Sequence, residues 1–511
     1  MKNLFKLIMV PAVVFSLFLS GQAYVVQAAP EGKVTFLSAE NLLGRWNAYQ
    51  HTNLAHYKLE EQVMEKVADV SVENPNKLVP RLAVSWKVLD PLTWEVKLRK
   101  GVKFHDGTPF DAEDIKASIE YGTDAKKTLV GRFFPERVNV EIKDPYTVWL
   151  KTPKPNAALI STLLMLRIYS SEDIANPKKI DEIMNGTGPY KWVSYSEAEG
   201  VRLTAYLDYW GGVPKIKDVY FRYVGDETTR LSALLSGEAQ IIDRVGPEQL
   251  MIVKKTKGAH VETIKTVENH WIHFHCAVPP FKDNVPLRQA ICYAIDTQTI
   301  IDKILKGTAI PTHAHMSPSG LYYKEAPNAI RYNPKKAKQL LKEAGYPNGQ
   351  GLPELEFITS IGFYPKTKEY GEFIIQNLKA IGVKARLRVM EVAAWNACIY
   401  IKDCGDFTDT GWFIPLTDPN AIFNMKFHSV GILNHISDTN LDKVIEKQST
   451  IMNPTERQKY MQDTVIPALM HSVPSFPIYS ALTITGISDK LKGFRTSAAG
   501  FFRIFDCTLE K

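Results

Sequence analysis

The chain has 511 residues, 45% of them hydrophobic and 11% aromatic, an ordinary globular composition that excludes broad disorder. At about 100 to 200 residues per domain it is too long for one core, so two or three lobes are expected. The net charge of +7 includes Lys2 and Lys6 and is spread without a dense Lys/Arg run; this gives no case for nucleic acid as a partner and mildly favours anionic ligands or surfaces.

Lys2 and Lys6 open the sequence, an apolar run from Leu7 to Leu19 follows, and Val26-Gln27-Ala28 places small residues before a cut. Residues 1–28 therefore read as a secretory signal peptide cleaved after Ala28. Its apolar core is shorter than the roughly 20 residues that span a bilayer. With no Cys at the cleavage point and no other long apolar run, a soluble exported protein is expected. The five Cys of such a chain leave at least one unpaired. Cys398 and Cys404, flanking Lys402-Asp403, are the candidate bridge, which export permits without requiring. Cys292 falls in the apolar helix Leu287 to Ile295 and reads as a buried thiol. No CxxC or Cys/His zinc spacing is present.

Lys33 to Ser38 reads as a strand and Glu40 to Asn53 as an irregular loop. In the stretch Leu82 to Tyr121, Ser85 to Val88 and Thr93 to Leu98 alternate apolar and polar residues around an Asp90-Pro91 turn, which predicts a hairpin with one wet face. Asp106-Gly107 supplies a second turn. Asp111 then stands at an N-cap with Asp114 in the capping-box position, ahead of Ile115 and Ile119. Tyr146 to Leu150 predicts a strand and Asn156 to Leu166 a helix. Asp226 to Arg230 caps a further helix, and Gly237 to Ile242 leads into a strand. Pro334 at a first helical position and Gly345 beyond its end bracket another helix. Tyr370 to Ile381 predicts an amphipathic helix running into the strand Val383 to Val389, the alternation of an α/β lobe.

The wording of Leu82 to Tyr121 closely resembles the signature of the extracytoplasmic solute-binding proteins of family 5, the peptide, nickel and opine receptors of ABC importers. Leu98-Arg99, Gly101-Val102, Phe104-His105-Asp106-Gly107, Pro109-Phe110, Ala112 and Asp114 match its pattern. Gly186-Thr187-Gly188-Pro189-Tyr190, Pro279-Pro280-Phe281, Tyr293-Ala294-Ile295-Asp296 and Tyr332-Asn333-Pro334 extend the likeness over the rest of the chain. Gln240 stands where the family usually has Asp, a change expected to alter one hydrogen bond. The resemblance implies an α/β, two-lobed periplasmic binding protein, type II-like and of cluster C, with an extra subdomain in the N-terminal lobe. On that pattern lobe I takes residues 29–58, 185–268 and 476–511, its extra subdomain 59–184, and lobe II 269–475. The resemblance also implies periplasmic residence, transmembrane permease subunits as partners, a monomeric state and no cofactor.

An enzyme would have to show a nucleophile with its base, an acid–base pair or a metal cage. There is no Gly-x-Ser-x-Gly, His-Glu-x-x-His or Walker loop, so a secreted hydrolase stands only as the outside alternative, beside a periplasmic holdase. His270, His273, His275 and Cys276 are the nearest approach to a metal cluster; in a strand, His273 and His275 would share a face. His275 lies where the family usually has Asn, so it is expected to be a hydrogen-bonding residue at the lobe boundary, and no metal ligands are assigned.

The family's ligand contacts map onto Trp46, Asn47 and Tyr49 after the first strand, and onto Trp412, Phe413 and Asp418 of the second lobe. Peptide receptors of the family hold the ligand's α-amino group with an Asp three residues after this Trp. That position is Pro415 here, which cannot balance an ammonium, although Asp409 or Asp418 could substitute. Arg167 lies where the family's nickel-chelate receptors bring an Arg to a ligand carboxylate, a contact an Arg makes with two parallel hydrogen bonds; pairing with Glu172 or Asp173 is the alternative. The expected cargo is a small polar or carboxylated solute such as an opine or a chelate. A di- or oligopeptide is the alternative.

Overall fold

Two long strands carry the chain between its halves. In a computed structural model, residues 29–42, 44–361, 363–401, 404–412 and 416–511 are described, and its elements begin with strand β1 (Glu31–Ser38) and helix α1 (Leu54–Val63). The signature follows as hairpin β2 (Ala83–Asp90) and β3 (Thr93–Leu98), helix α2 (Ala112–Gly122), then β4 (Asn139–Asp144) and β5 (Thr147–Lys151). Strands β6 (Tyr190–Ser196), β7 (Gly200–Ala205) and β8 (Ile216–Tyr223), helix α3 (Glu227–Ser236) and strand β9 (Ile241–Ile242) complete this half up to the first crossing. Strand β10 (Ala259–Phe274) crosses over. The second half contains α4 (Val285–Ala294), β11 (Ala309–Ile310), α5 (Pro334–Glu343), β12 (Leu355–Ser360), α6 (Thr367–Ala380), β13 (Ala385–Met390), α7 (Val392–Ile401), β14 (Phe407–Trp412) and α8 (Asn420–Lys426). Strand β15 (Ser475–Ser488) returns.

These strands form one 11-stranded sheet in the order β13-β12-β14-β10-β15-β9-β1-β8-β7-β6, with β11 pairing β15. Each end of the sheet has a parallel core, β1 with β8 and β9, and β12 with β13 and β14. Parallel neighbours need crossovers, which α6 and α7 supply in the second half. In the middle, β10 and β15 are antiparallel: Ala259 to Lys265 pairs with Ser488 to Leu482, and Asn269 to His273 with Ser480 to Ser475. The register slips between Lys265 and Asn269, and such a bulge bends and twists a ladder. The two crossing strands thus carry their irregularity between the lobes.

The signature folds as a separate antiparallel sheet, β2-β3-β5-β4. The Asp111 carboxylate accepts the Glu113 amide at 2.8 Å and the Asp114 carboxylate accepts the Asp111 amide at 2.9 Å, the reciprocal arrangement its spacing predicts. Strand β3 alternates buried and wetter positions, whereas edge strand β2 is exposed on both faces, with Val84, Val88 and Leu89 about 40% accessible. The Gly186–Tyr190 motif explains why the signature matters. A Cβ on Gly186 would lie 2.0 Å from the Val63 carbonyl oxygen, and one on Gly188 2.7 Å from the Val63 carbonyl carbon, so only glycine lets this turn close on the end of α1. His105 clasps the same turn through its amide to Gly186 O at 2.9 Å and its Nε2 to Gly188 O at 2.8 Å. Both motifs therefore grip the C-terminal end of α1, leaving its N-terminal end free to face the middle of the molecule.

One expectation differs in detail. The helix anticipated over Asn156 to Leu166 is one turn, Leu159–Thr162, followed by a tight turn at Leu163–Met165, because the chain extends at Leu166 to carry Arg167 and Ile168 beneath α1. Gln240 Oε1 accepts the Thr35 amide at 2.9 Å and its Nε2 donates to Gly237 O at 2.9 Å. Cys398 and Cys404 are joined, and Cys292 is a buried thiol. No helix of the described residues is long and apolar enough to cross a membrane.

Candidate functional site

A cavity of about 630 Å³ lies between the lobes beside the crossing strands. From lobe I it takes the loop after β1, residues Gln50 to Leu54, Tyr57 of α1, Phe133, Tyr223 and Arg244. From the opposite side come Phe363 and Tyr364, the face of α7 bearing Trp395, Asn396, Ile399 and Tyr400, the β14 residues Thr410 and Gly411, and Lys426 at the end of α8. Its size and its aromatic walls with few charged groups suit a small organic ligand. A neighbouring cavity of about 680 Å³ shares Glu40, Leu54, Arg244, Glu268, Phe363 and Tyr364 and runs out past Lys366 and Glu369. Its outer rim is charged rather than aromatic, which makes the first cavity the better-formed binding space.

Local sequence explains the walls. Gly411 is required because a Cβ there would meet the His270 ring at 2.4 Å and Tyr364 at 2.8 Å, and the Tyr364 hydroxyl donates to Gly411 O at 2.6 Å. Helix α7 is anchored by the Cys398–Cys404 bridge and by Trp395 Nε1 donating to Thr408 Oγ1 at 3.3 Å. On lobe I the N-cap Asn53 accepts the Ala55 amide at 2.9 Å, so α1 begins at the cavity.

The charges are unevenly placed, Glu40 and Arg244 half-buried and Glu268 and Lys426 buried. The Glu40 carboxylate accepts from Arg244 and, at 3.2 Å, from the Leu54 amide in the first turn of α1. The anion position that a helix start and an Arg create is therefore filled by the chain's own carboxylate. Glu268, which burial would push up, is held below the usual carboxylate range by His270 at 3.0 Å and by Arg244. Across the cavity, Lys426 is 3% exposed; its Nζ donates to Thr410 Oγ1 at 2.8 Å, meets His273 Nε2 at 3.2 Å and lies 5.1 Å from the Trp271 ring centre. Burial lowers its pKa from 10.5 to about 7. His273 is pushed well down, first by burial and then by Lys426, so it is neutral beside that ammonium.

The residues singled out from the sequence lie in three places. Trp46, Asn47, Tyr49 and Arg167 gather in lobe I and are not among the residues lining the cavity. Trp46 packs on Trp192 at 4.5 Å and Tyr195 at 4.8 Å, Asn47 donates to Asp181 at 3.1 Å, and the Tyr49 hydroxyl donates to Arg167 O at 2.5 Å. Arg167 is 1% exposed and pairs with Glu60 and Glu61, each at 3.1 Å, rather than with Glu172 or Asp173. In lobe II, Asp418 accepts a two-pronged pair from Arg457 at 2.6 and 2.9 Å, and Asp409 is buried against the Tyr370 hydroxyl, its pKa raised to about 7 by burial. His275 is half-buried past the end of β10, its amide donating to Asp406 O at 2.9 Å. Trp412 ends β14 opposite Asn269, next to the cavity-lining Gly411. Phe413 and Pro415 lie outside the described residues.

Sequence reasoning passed over Lys426. Its signal was a single cation in the apolar run Ala421-Ile422-Phe423-Asn424-Met425-Lys426-Phe427, where a charge needs a reason to be.

A clamp of two α/β lobes joined by two crossing strands, with a ligand-sized cavity between them, defines the class of solute-binding receptors. The profile of the bacterial extracellular solute-binding proteins, family 5 (middle), matches residues 77–434, and the chain belongs to that family. Among curated relatives, the glutathione-binding protein GsiB of Escherichia coli (strain K12) is 30% identical over 442 residues, covering 82% of this chain and 83% of its own. Among solved structures, the substrate-binding protein CtaP of Listeria monocytogenes superposes with a TM-score of 0.83 at 23% identity over 94% of this chain and 100% of its own. The periplasmic binding protein DppA of Helicobacter pylori, in complex with the peptide STSA, superposes with a TM-score of 0.82 at 22% identity over 94% of this chain and 99% of its own.

Proposed function

We propose that this chain is the periplasmic substrate-binding protein of an ABC importer, and that it captures a small carboxylated solute in the inter-lobe cavity and delivers it, as a monomer, to the transmembrane permease subunits. The observation that carries the cargo class is the Lys426 ammonium in the lobe II wall, facing a lobe I whose own anion position already holds Glu40. A cargo carboxylate docks on Lys426, which lines the cavity, and the aromatic side chains cover the rest of the solute. Closure shifts an open–closed equilibrium by the cargo's difference in affinity for the two forms, with the bulge in β10 and β15 as the bending point. No covalent step is required of any residue in the cavity.

Reduced glutathione is the first compound to try, because the relative GsiB binds it and it is a small peptide with two carboxylates. This also keeps the peptide reading in view: Glu268 lines the same cavity and is held ionised, a counter-charge for a cargo ammonium. Isothermal titration of the mature chain with glutathione, opine-type dicarboxylates, unmodified dipeptides and their carboxamides tests the reading. Binding that is lost on amidating the carboxylate is expected; exclusive binding of neutral or cationic compounds would overturn it.

A further inference from the structure

His51, His56 and Glu60 were not singled out as chemistry-bearing, yet the fold brings them together. His56 and Glu60 are four residues apart on α1, so they share one face of the helix, and His51 approaches from the loop before it. Their donor atoms all lie within 4.8 Å of one another, and the residues are 4%, 0% and 0% exposed. His51 Nε2 stands 2.8 Å from Glu60 Oε1 without the alignment of a hydrogen bond. The imidazoles are 4.1 Å apart, centre to centre.

We propose that His51, His56 and Glu60 form a binding site for a borderline divalent cation of the Zn²⁺ or Ni²⁺ class, set in lobe I and opening onto the cavity through His51, which lines it. The donor set of two imidazoles and a carboxylate suits such ions. With metal–ligand bonds of about 2.0 to 2.1 Å the ligand atoms of a tetrahedral site stand about 3.3 Å apart, a contraction that rotation of the two rings about their broad terminal torsions provides. Glu60 keeps its other oxygen, Oε2, on Arg167 at 3.1 Å, and Glu61 shares that guanidinium at 3.1 Å; an anchored carboxylate of this kind is what orients a metal ligand.

The inference does not depend on the cargo, because the probe is the metal alone. The untagged mature chain, stripped with chelator, is titrated with ZnCl₂ and NiCl₂, and its Co²⁺ form is read by visible and X-ray absorption. One equivalent bound through nitrogen and oxygen donors is expected, weakened at least tenfold in His51→Gln and in His56→Gln and unchanged in His273→Gln. Absence of stoichiometric binding, affinity equal to wild type in both variants, or loss in His273→Gln instead overturns the site. Should the two variants fail to fold, the wild-type absorption spectrum decides: sulfur ligands or a shell of oxygen alone would refute it.

Discussion

Replacing Lys426 with Met removes the charge while keeping most of the side chain's volume, which isolates its electrostatic role. A hydrogen bond between charged partners contributes about 1.5 to 3 kcal/mol, so the variant should bind a carboxylated cargo roughly 10- to 100-fold more weakly. The pH dependence is the sharper reading. In the empty chain Lys426 titrates at about 7; a bound carboxylate raises that value, so binding takes up a proton. Affinity should be full below pH 7 and fall about tenfold between pH 6 and pH 8, with roughly half a proton taken up per cargo at pH 7. Titrations in buffers of different ionisation enthalpy measure that uptake directly. Asp409 also titrates near 7, so the Met variant is the necessary control, since the proton uptake should vanish with the Lys. For the empty chain the sign reverses. Folding depresses the Lys426 pKa, so its destabilising effect is complete below pH 7 and fades as pH rises toward 10.5. Wild-type affinity in Lys426→Met with undiminished proton uptake would refute the assignment.

Other outcomes follow from the same contacts. Asp418→Asn weakens the buried pair with Arg457, and chemical denaturation should show a loss of about 3 to 5 kcal/mol while cargo affinity of the folded protein stays within a fewfold of wild type. Trp46→Ala leaves a hole against Trp192 and Tyr195 and should cost about 3 kcal/mol of stability, again with little change in affinity. Reducing the Cys398–Cys404 bridge frees a loop six residues long and should cost about 2 kcal/mol. Because the bridge anchors α7, reduction should also weaken cargo binding through Trp395, Ile399 and Tyr400, as fluorescence titration with and without reductant would show.

The frame of the molecule was legible because its signals are local. The Asp111–Asp114 cap, the Asp90-Pro91 turn and the Gly186 and Gly188 positions each state a backbone requirement within a few residues. The cavity was less legible because its walls come from segments far apart in sequence. Trp46 and Tyr49 have the composition of a ligand platform, and their contacts with Trp192, Tyr195 and Tyr169 come from residues far away in sequence. Arg167 pairs with Glu60 and Glu61, more than a hundred residues earlier, which no spacing rule anticipates. The His56–Glu60 spacing was readable as one helix face, but His51 joins it through the turn at Asn53, a tertiary fact. The signature that identifies the family supports α1 from its far end, and the cavity lies where that helix begins.

The most direct test of the account is the solute that the wild-type chain carries out of a cell extract, identified by native mass spectrometry beside Lys426→Met. The account predicts a small molecule bearing at least one carboxylate, retained by the wild type and lost from the variant. A wild type that retains only uncharged or cationic solutes, or a carboxylate held equally by both proteins, would contradict it.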